Sequence, residues 1–210
     1  MLKYEKMVLG EMQTNSYLLW DEDSKEAMVI DPADDGVEIA QELQKLDLKP
    51  IVIACTHGHF DHLLGALDLM LIFKIPLCLS KLDAFLLERL GETAEHFLGH
   101  KINVPNIKKI DIDFNKVVSI RLGDKKIIPI KTPGHTPGSV SIHCPSDKLL
   151  FTGDTLFANG FLGETSHKYS SLLDMRKSLK RLLELPEDTL VLSGHGDEDT
   201  IGNCKVTLEN

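Results

Sequence analysis

The spacing of hydrophobic and polar positions changes several times along the chain, and each change marks an element. Near the N-terminus the runs Lys3–Leu9, Ser16–Trp20 and Ala27–Ile30 are separated by Gly10, Asn15 and Asp21-Glu22-Asp23, which predicts an antiparallel meander. The period then turns helical: Val37, Ile39, Ala40, Leu43 and Leu46 recur on one face, and the apolar strand Pro50–Ala54 follows. This is a strand–helix–strand unit of α/β type. A second unit follows, with a helix over His62–Phe73 and a strand over Ile75–Leu79. Leu82–Leu98 reads as helix, with Leu82, Phe85, Leu86, Arg89 and Leu90 on one stripe, and Gly99–Asp113 reads as an irregular connection. Strands return at Val117–Arg121, Lys125–Lys131, Ser139–Cys144 and Lys148–Thr152, with turns at Gly123-Asp124, Pro133-Gly134 and Pro145-Ser146. In the third of these, His143 alternates with its apolar neighbours and is expected to face solvent. A last helix, Leu172–Leu185, presents Leu172, Met175, Leu179, Leu182 and Leu183 to a core and Lys177, Lys180 and Arg181 to water, before the strand Thr189–Leu192. No Pro/Gly/Ser linker divides the two halves. One domain over residues 1–210 is therefore expected, with helices outside two packed sheets and a helical insertion around 82–113. That insertion is open to two roles, shaping a pocket or forming a homodimer contact.

Composition narrows the function. The chain has 210 residues, 42% hydrophobic and 26% charged, as an ordinary folded protein does. Its 23 basic and 32 acidic residues leave a net charge of −9, and Lys108-Lys109 and Lys125-Lys126 are the adjacent basic pairs in the middle of the chain, so no nucleic-acid partner is expected. No run reaches the ~20 apolar residues of a membrane span. The longest candidate, Leu67–Phe73 with Ile75–Leu79, is interrupted by Asp68, Lys74 and Pro76, and no membrane partner is expected. Residues Met1 to Lys6 lack the pattern of a secretory signal. Cys55, Cys78, Cys144 and Cys204 lie far apart without a C-x-x-C, which suits reduced, buried thiols in a cytoplasm.

The chemistry is concentrated in four short stretches. Thr56-His57-Gly58-His59-Phe60-Asp61-His62, directly after a predicted strand, packs three imidazoles and a carboxylate together, each costly to bury without a partner. Neutral imidazole and carboxylate suit zinc and related metals. His57 and His59 can point one way from the loop, with Asp61 and His62 facing a second position about a turn later, so this stretch alone suggests two metals. Three further strand ends each add one donor: His135 in Thr132–Ser139, Asp154 in Phe151–Thr155, and His195 in Ser193–Gly196. A glycine beside each donor permits the sharp turns that bring loops to a shared point.

His57-x-His59-x-Asp61-His62, then Gly134-His135-Thr136-Pro137-Gly138, then Gly153-Asp154-Thr155-Leu156-Phe157, then Gly194-His195-Gly196, together resemble the metallo-β-lactamase superfamily, and within it the glyoxalase II-like (hydroxyacylglutathione hydrolase-like) branch. The resemblance runs from about Asn15 to Thr200. It implies an α/β fold, an αββα sandwich of two mixed β-sheets with flanking helices, and a dinuclear site. By position, His57, His59 and His135 would hold a first metal and Asp61, His62 and His195 a second, with Asp154 bridging. Glyoxalase II enzymes also carry a helical C-terminal domain that contributes to the glutathione site. This chain ends fifteen residues after His195, so that domain is expected to be missing. Asp154 stands where many β-lactamases of the superfamily place a cysteine ligand, which turns the expectation away from a true β-lactamase.

Two divalent ions, Zn²⁺ by affinity with Fe or Mn as alternatives, can share a water, bring its pKa toward neutrality and present hydroxide to a bound carbonyl. Asp61 can orient that hydroxide and Asp154 can hold both ions, the two catalytic carboxylates expected here. The predicted reaction is hydrolysis of a small-molecule ester or thioester, foremost a hydroxyacylglutathione. The alternatives are a mononuclear iron persulfide dioxygenase-like oxidoreductase and a lactonase; a nuclease is disfavoured by the charge. Of the remaining histidines, His96, His100, His143 and His167 read as surface or locally bonded groups, and Tyr169 and His167 are the candidates for substrate contact at the mouth of the site.

Overall fold

The computed structural model describes residues 1–104 and 107–209. In chain order it contains β1 (Leu2–Leu9), β2 (Thr14–Asp21), β3 (Glu26–Ile30), α1 (Gly36–Lys45), β4 (Lys49–Ala54), α2 (Ala66–Phe73), β5 (Leu77–Leu79), α3 (Ala84–Leu87), α4 (Leu90–Leu98) and β6 (Ile112–Asp113). Then come β7 (Ile120–Leu122), β8 (Lys125–Lys131), β9 (Val140–Cys144), β10 (Leu149–Gly153), α5 (Leu172–Leu182), β11 (Leu190–Ser193), β12 (Asp199–Thr200) and α6 (Ile201–Glu209). Among the described residues the strands form two six-stranded sheets, ordered β1-β2-β3-β4-β5-β6 and β12-β11-β10-β9-β8-β7. Both are mixed. The first is antiparallel through β1, β2 and β3 and parallel from β3 to β6; the second is antiparallel except where β10 pairs with β11.

The layers follow from which strand faces are apolar. Tyr17, Leu19, Met28, Ile30 and Val52 of the first sheet meet Ile127, Ile142, Phe151 and Leu192 of the second in one buried cluster. Tyr17 and Phe151 pack edge-on with ring centroids 5.0 Å apart at its centre. The Tyr17 hydroxyl finds a buried acceptor in the Ser193 carbonyl, 2.7 Å away, across the seam between the sheets. The outer face of the first sheet is covered by α1 and α2, through Ile39, Leu43 and Leu69, with Leu90 and Ala94 of α4 in the same cluster. Met175, Leu179 and Leu182 of α5 and Ile201 of α6 cover Leu150 and Val191 of the second sheet. Capping fixes where two of these helices begin: Asp35 accepts from the Glu38 amide ahead of α1, and Ser171 from the Asp174 amide ahead of α5. The result is the αββα sandwich that the periodicity and the motifs predict.

Several boundaries differ from the sequence pattern. The helix expected over His62–Phe73 starts at Ala66, because residues 60–62 form a single tight turn. The stretch 82–98 is not one helix but α3 and α4, and the strand expected at Val117–Arg121 is shifted to β7. Within the connection expected over 99–113, residues 105–106 lie outside the described residues, and β6 was not anticipated. His143 does not face solvent. It lies opposite Leu150 in register, on the face that α5 and α6 cover, and is only 9% exposed. No helix among the described residues is long and apolar enough to cross a membrane.

Candidate metal centre

Strand ends from both sheets converge on one rim. The loop after β4 carries His57, His59, Asp61 and His62; the turn between β8 and β9 carries His135; Asp154 follows β10 and His195 follows β11. The β10–β11 pairing slips by one residue between Phe151 and Gly153, and the Gly194 amide donates to the Gly153 carbonyl (2.9 Å), which sets Asp154 beside His195. β2 closes the same rim: the Asn15 amide donates to the Gly194 carbonyl (2.7 Å), and its side-chain amide donates to the Ser193 carbonyl (2.9 Å).

The seven residues named from the sequence come together. One donor atom each from His57, His59 and His135 lie within 4.8 Å of one another, as do those of Asp61, His62 and His195. Asp154 stands between the triads, with Oδ1 3.5 Å from His62 Nε2 and Oδ2 3.5 Å from His135 Nε2.

Four of the five imidazoles have one nitrogen hydrogen-bonded to an oxygen, and the fifth, His62, has a carboxylate beside it. His57 Nδ1 meets Thr56 Oγ1 at 3.1 Å, His59 Nε2 meets the Tyr169 hydroxyl at 2.8 Å, and His135 Nδ1 meets the Glu164 carbonyl at 2.8 Å. His195 Nδ1 faces the Gln13 carbonyl at 3.4 Å, and His62 Nδ1 lies 3.0 Å from Asp31 Oδ2, an ion-pair distance off-line for a hydrogen bond. The opposite nitrogens point into the centre. There His57 Nε2, His62 Nε2 and Asp154 Oδ1 are buried without a hydrogen-bond partner, and His59 Nδ1 faces His135 Nε2 at 2.9 Å. Buried polar atoms are ordinarily satisfied. Bare donors of imidazole and carboxylate type, with their far sides fixed by oxygens, fit divalent cations and leave few other ways to satisfy them.

The triads differ in protonation. Burial, reinforced by the surrounding imidazoles, holds His57 well below the usual histidine range, and burial with His135 does the same for His59. Burial opposes charge on His62 too, but the carboxylates of Asp61, Asp31 and Asp154 outweigh it and push His62 up to about 10. Asp61 is lowered: burial raises it, and His62 and His195 more than reverse that.

Beside the centre is a cleft of about 160 Å³. Its lining includes the apolar Met12, Phe60, Phe97 and Phe157 and the polar Glu164 and His167. Phe97 of α4 stacks on Phe60 at 6.1 Å, so the insertion around 82–113 shapes this cleft. Of the two substrate-contact candidates, His167 is on the wall, whereas the Tyr169 hydroxyl is engaged by His59 behind the centre. Gly163 passes so close that a Cβ there would overlap the Asp154 carbonyl. His96 and His100 lie outside the centre, His100 paired with Glu11 at 2.8 Å, and all four cysteines are free and buried.

Two buried carboxylates escaped the sequence reasoning. Asp31 accepts from the Thr56 amide and hydroxyl, both at 2.7 Å, and Asp83 binds backbone and hydroxyl donors on two ligand loops. Asp31 had one signal, its place directly after a strand on the ligand rim; Asp83 had none.

Residues 9–195 match the family model of the metallo-beta-lactamase superfamily. The hydroxyacylglutathione hydrolase GloC of Haemophilus influenzae is 35% identical over 209 residues, covering 97% of this chain and 95% of that protein. Among solved structures, the BLEG-1 B3 metallo-beta-lactamase superposes with a TM-score of 0.88 at 32% identity, covering 96% of this chain and 95% of that one. TTHA1623 in a di-iron-bound form gives 0.84 at 30% identity, covering 97% and 98%.

Proposed function

Since the chain belongs to the metallo-beta-lactamase superfamily, we propose that it is a binuclear thioester hydrolase acting on a hydroxyacylglutathione-type substrate. The observation that carries this reading is the pair of triads meeting at Asp154, with His57 Nε2, His62 Nε2 and Asp154 Oδ1 buried at the centre without a hydrogen-bond partner. In the proposed assignment His57, His59 and His135 hold one ion, Asp61, His62 and His195 the other, and Asp154 both. Bound there, the ions would supply a nucleophile from water at neutral pH and polarise the acyl carbonyl.

The chain's own groups do the rest. Asp61 Oδ2 accepts from the Thr14 hydroxyl at 2.9 Å and lies 3.3 Å from His195 Nε2, so it is a fixed acceptor that can orient the attacking water. Met12, Phe97 and Phe157 would give the acyl group an apolar contact surface. At about 160 Å³ the cleft is smaller than the roughly 300–1,000 Å³ that encloses a drug-sized ligand. In this reading the acyl end would sit in the cleft and the thiol-bearing part would extend beyond it. The similarity to GloC over nearly the full length of both chains supports the substrate class. Zn²⁺ is favoured by affinity for such donors, with iron and manganese the alternatives. Four free thiols support a cytoplasmic site of action.

The test is metal content per chain together with hydrolysis of S-lactoylglutathione. Two equivalents of metal, with turnover lost in His57→Ala and Asp154→Ala, are expected. One equivalent of iron, no turnover, and oxygen uptake with a persulfide would replace this reading by a dioxygenase.

A further inference from the structure

Asp83 belongs to neither triad, yet its side chain is fully buried between the two loops that supply the first. Its Oδ2 accepts from the Gly58 amide at 2.9 Å and from the Thr136 hydroxyl at 2.7 Å, and its Oδ1 accepts from the Gly138 amide at 2.7 Å. Gly58 separates His57 from His59, and Thr136 follows His135 directly. One carboxylate thus ties the His57–His59 loop to the His135 loop. The approach is close enough to require glycine on both sides: a Cβ at Gly58 would stand 2.9 Å from Asp83 Cβ, and one at Gly138 2.5 Å from Asp83 Oδ1. A carboxylate is costly to bury, and the donors that offset the cost here are the ligand loops themselves. The second triad rests on other groups: Thr14 on Asp61, Asp31 beside His62, and the Gln13 carbonyl beside His195.

We propose that Asp83 is a positioning residue that sets the separation of the two loops and thereby tunes the cation affinity of the first triad alone. The proposal rests on the binuclear reading above. Outer groups that orient ligands are commonly worth about 10–100-fold in metal affinity, and loops left loose by an ångström lose their geometry.

The experiment is competition between metal-stripped protein and a chromophoric chelator for Zn²⁺, with the stripped proteins compared by circular dichroism. Asp83→Asn keeps the shape but leaves one acceptor oxygen, which can meet the Gly138 amide or the Gly58 amide but not both, so one loop loses a backbone anchor and faces an amide N–H instead. The expected result is a weakening of one site by about 10–100-fold with the other unchanged. In a His195→Ala background, where the second triad is broken, Asp83→Asn must weaken the remaining site by the same factor. Thr136→Val keeps the carboxylate and removes one of its three bonds, along with the Thr136–Ser139 hydroxyl bond, and is expected to weaken the same site by a smaller factor; it decides the matter if Asp83→Asn does not fold. Unchanged affinity at both sites, or equal weakening of both, overturns the proposal. Fewer than two ions on the wild-type protein instead overturns the binuclear reading, so the two failures are distinguishable.

Discussion

The two triads share a rim and one carboxylate, but they face the binding of a cation from opposite starting points. In the first, three imidazoles are backed by neutral oxygens, the Thr56 hydroxyl, the Tyr169 hydroxyl and the Glu164 carbonyl. Burial keeps His57 and His59 unprotonated, so their lone pairs are free at neutral pH. In the second, Asp61 is itself a donor and Asp31 stands behind His62, so the negative charge that attracts a metal ion also retains a proton on the imidazole. Neutral donors give a site that is ready but attracts weakly; charged donors attract strongly but must first release a proton.

The largest effect should come from removing what the triads share. Asp154→Ala is expected to lower thioester turnover more than about 100-fold, beyond what an outer group usually contributes, and to weaken both ions together in a chelator titration.

Next is pH. In the metal-free protein His62 holds its proton up to about 10, so an ion entering the second triad must displace it. The affinity of that site should therefore rise with pH through the neutral range by up to about tenfold per unit, flattening near 10, while His57 and His59 of the first triad have no proton to displace there. Proton release on metal addition, measured in buffers of different ionisation enthalpy, checks the sign. Equal pH slopes for both sites would remove the contrast.

Smaller and opposite effects are expected from the supports. Tyr169→Phe should weaken the first site by about tenfold and leave the second intact, and Thr14→Val should do the reverse, both read in the same titration. Smallest is Phe97→Ala, which opens the apolar wall without touching a donor; a loss of about 1 kcal/mol, roughly a fivefold rise in KM, is expected with kcat unchanged.

Much of this centre was legible in the sequence because ligands need both a residue type and a place. Histidines and aspartates clustered in glycine-flanked turns after apolar strands can scarcely be core, and the seven picked out on that ground converge. The supports were not legible, since Asp83 in a helical stretch and Asp31 in a turn look like ordinary capping residues; only the folded chain shows what they accept from. His143 misled for a different reason. Alternation predicts an exposed face only when one side of a strand is solvated, and β9 is buried on both, between the inner core and the α5–α6 layer. The break between α3 and α4 at Glu88 and Arg89 lies inside a continuous helical pattern, where tertiary packing overrides local preference.

Donors reach this centre from the end of β4 in one sheet and from the ends of β8, β10 and β11 in the other. A cation seated there is a cross-link between two layers that are otherwise joined through apolar contact and a few bonds such as Tyr17 to Ser193. Bound ions would therefore act as rivets as well as reagents. Stripping them should speed hydrogen exchange at the amides of Asn15 and Gly194 along the seam, and leave the amides of α1, on the far face of the first sheet, as slow as before.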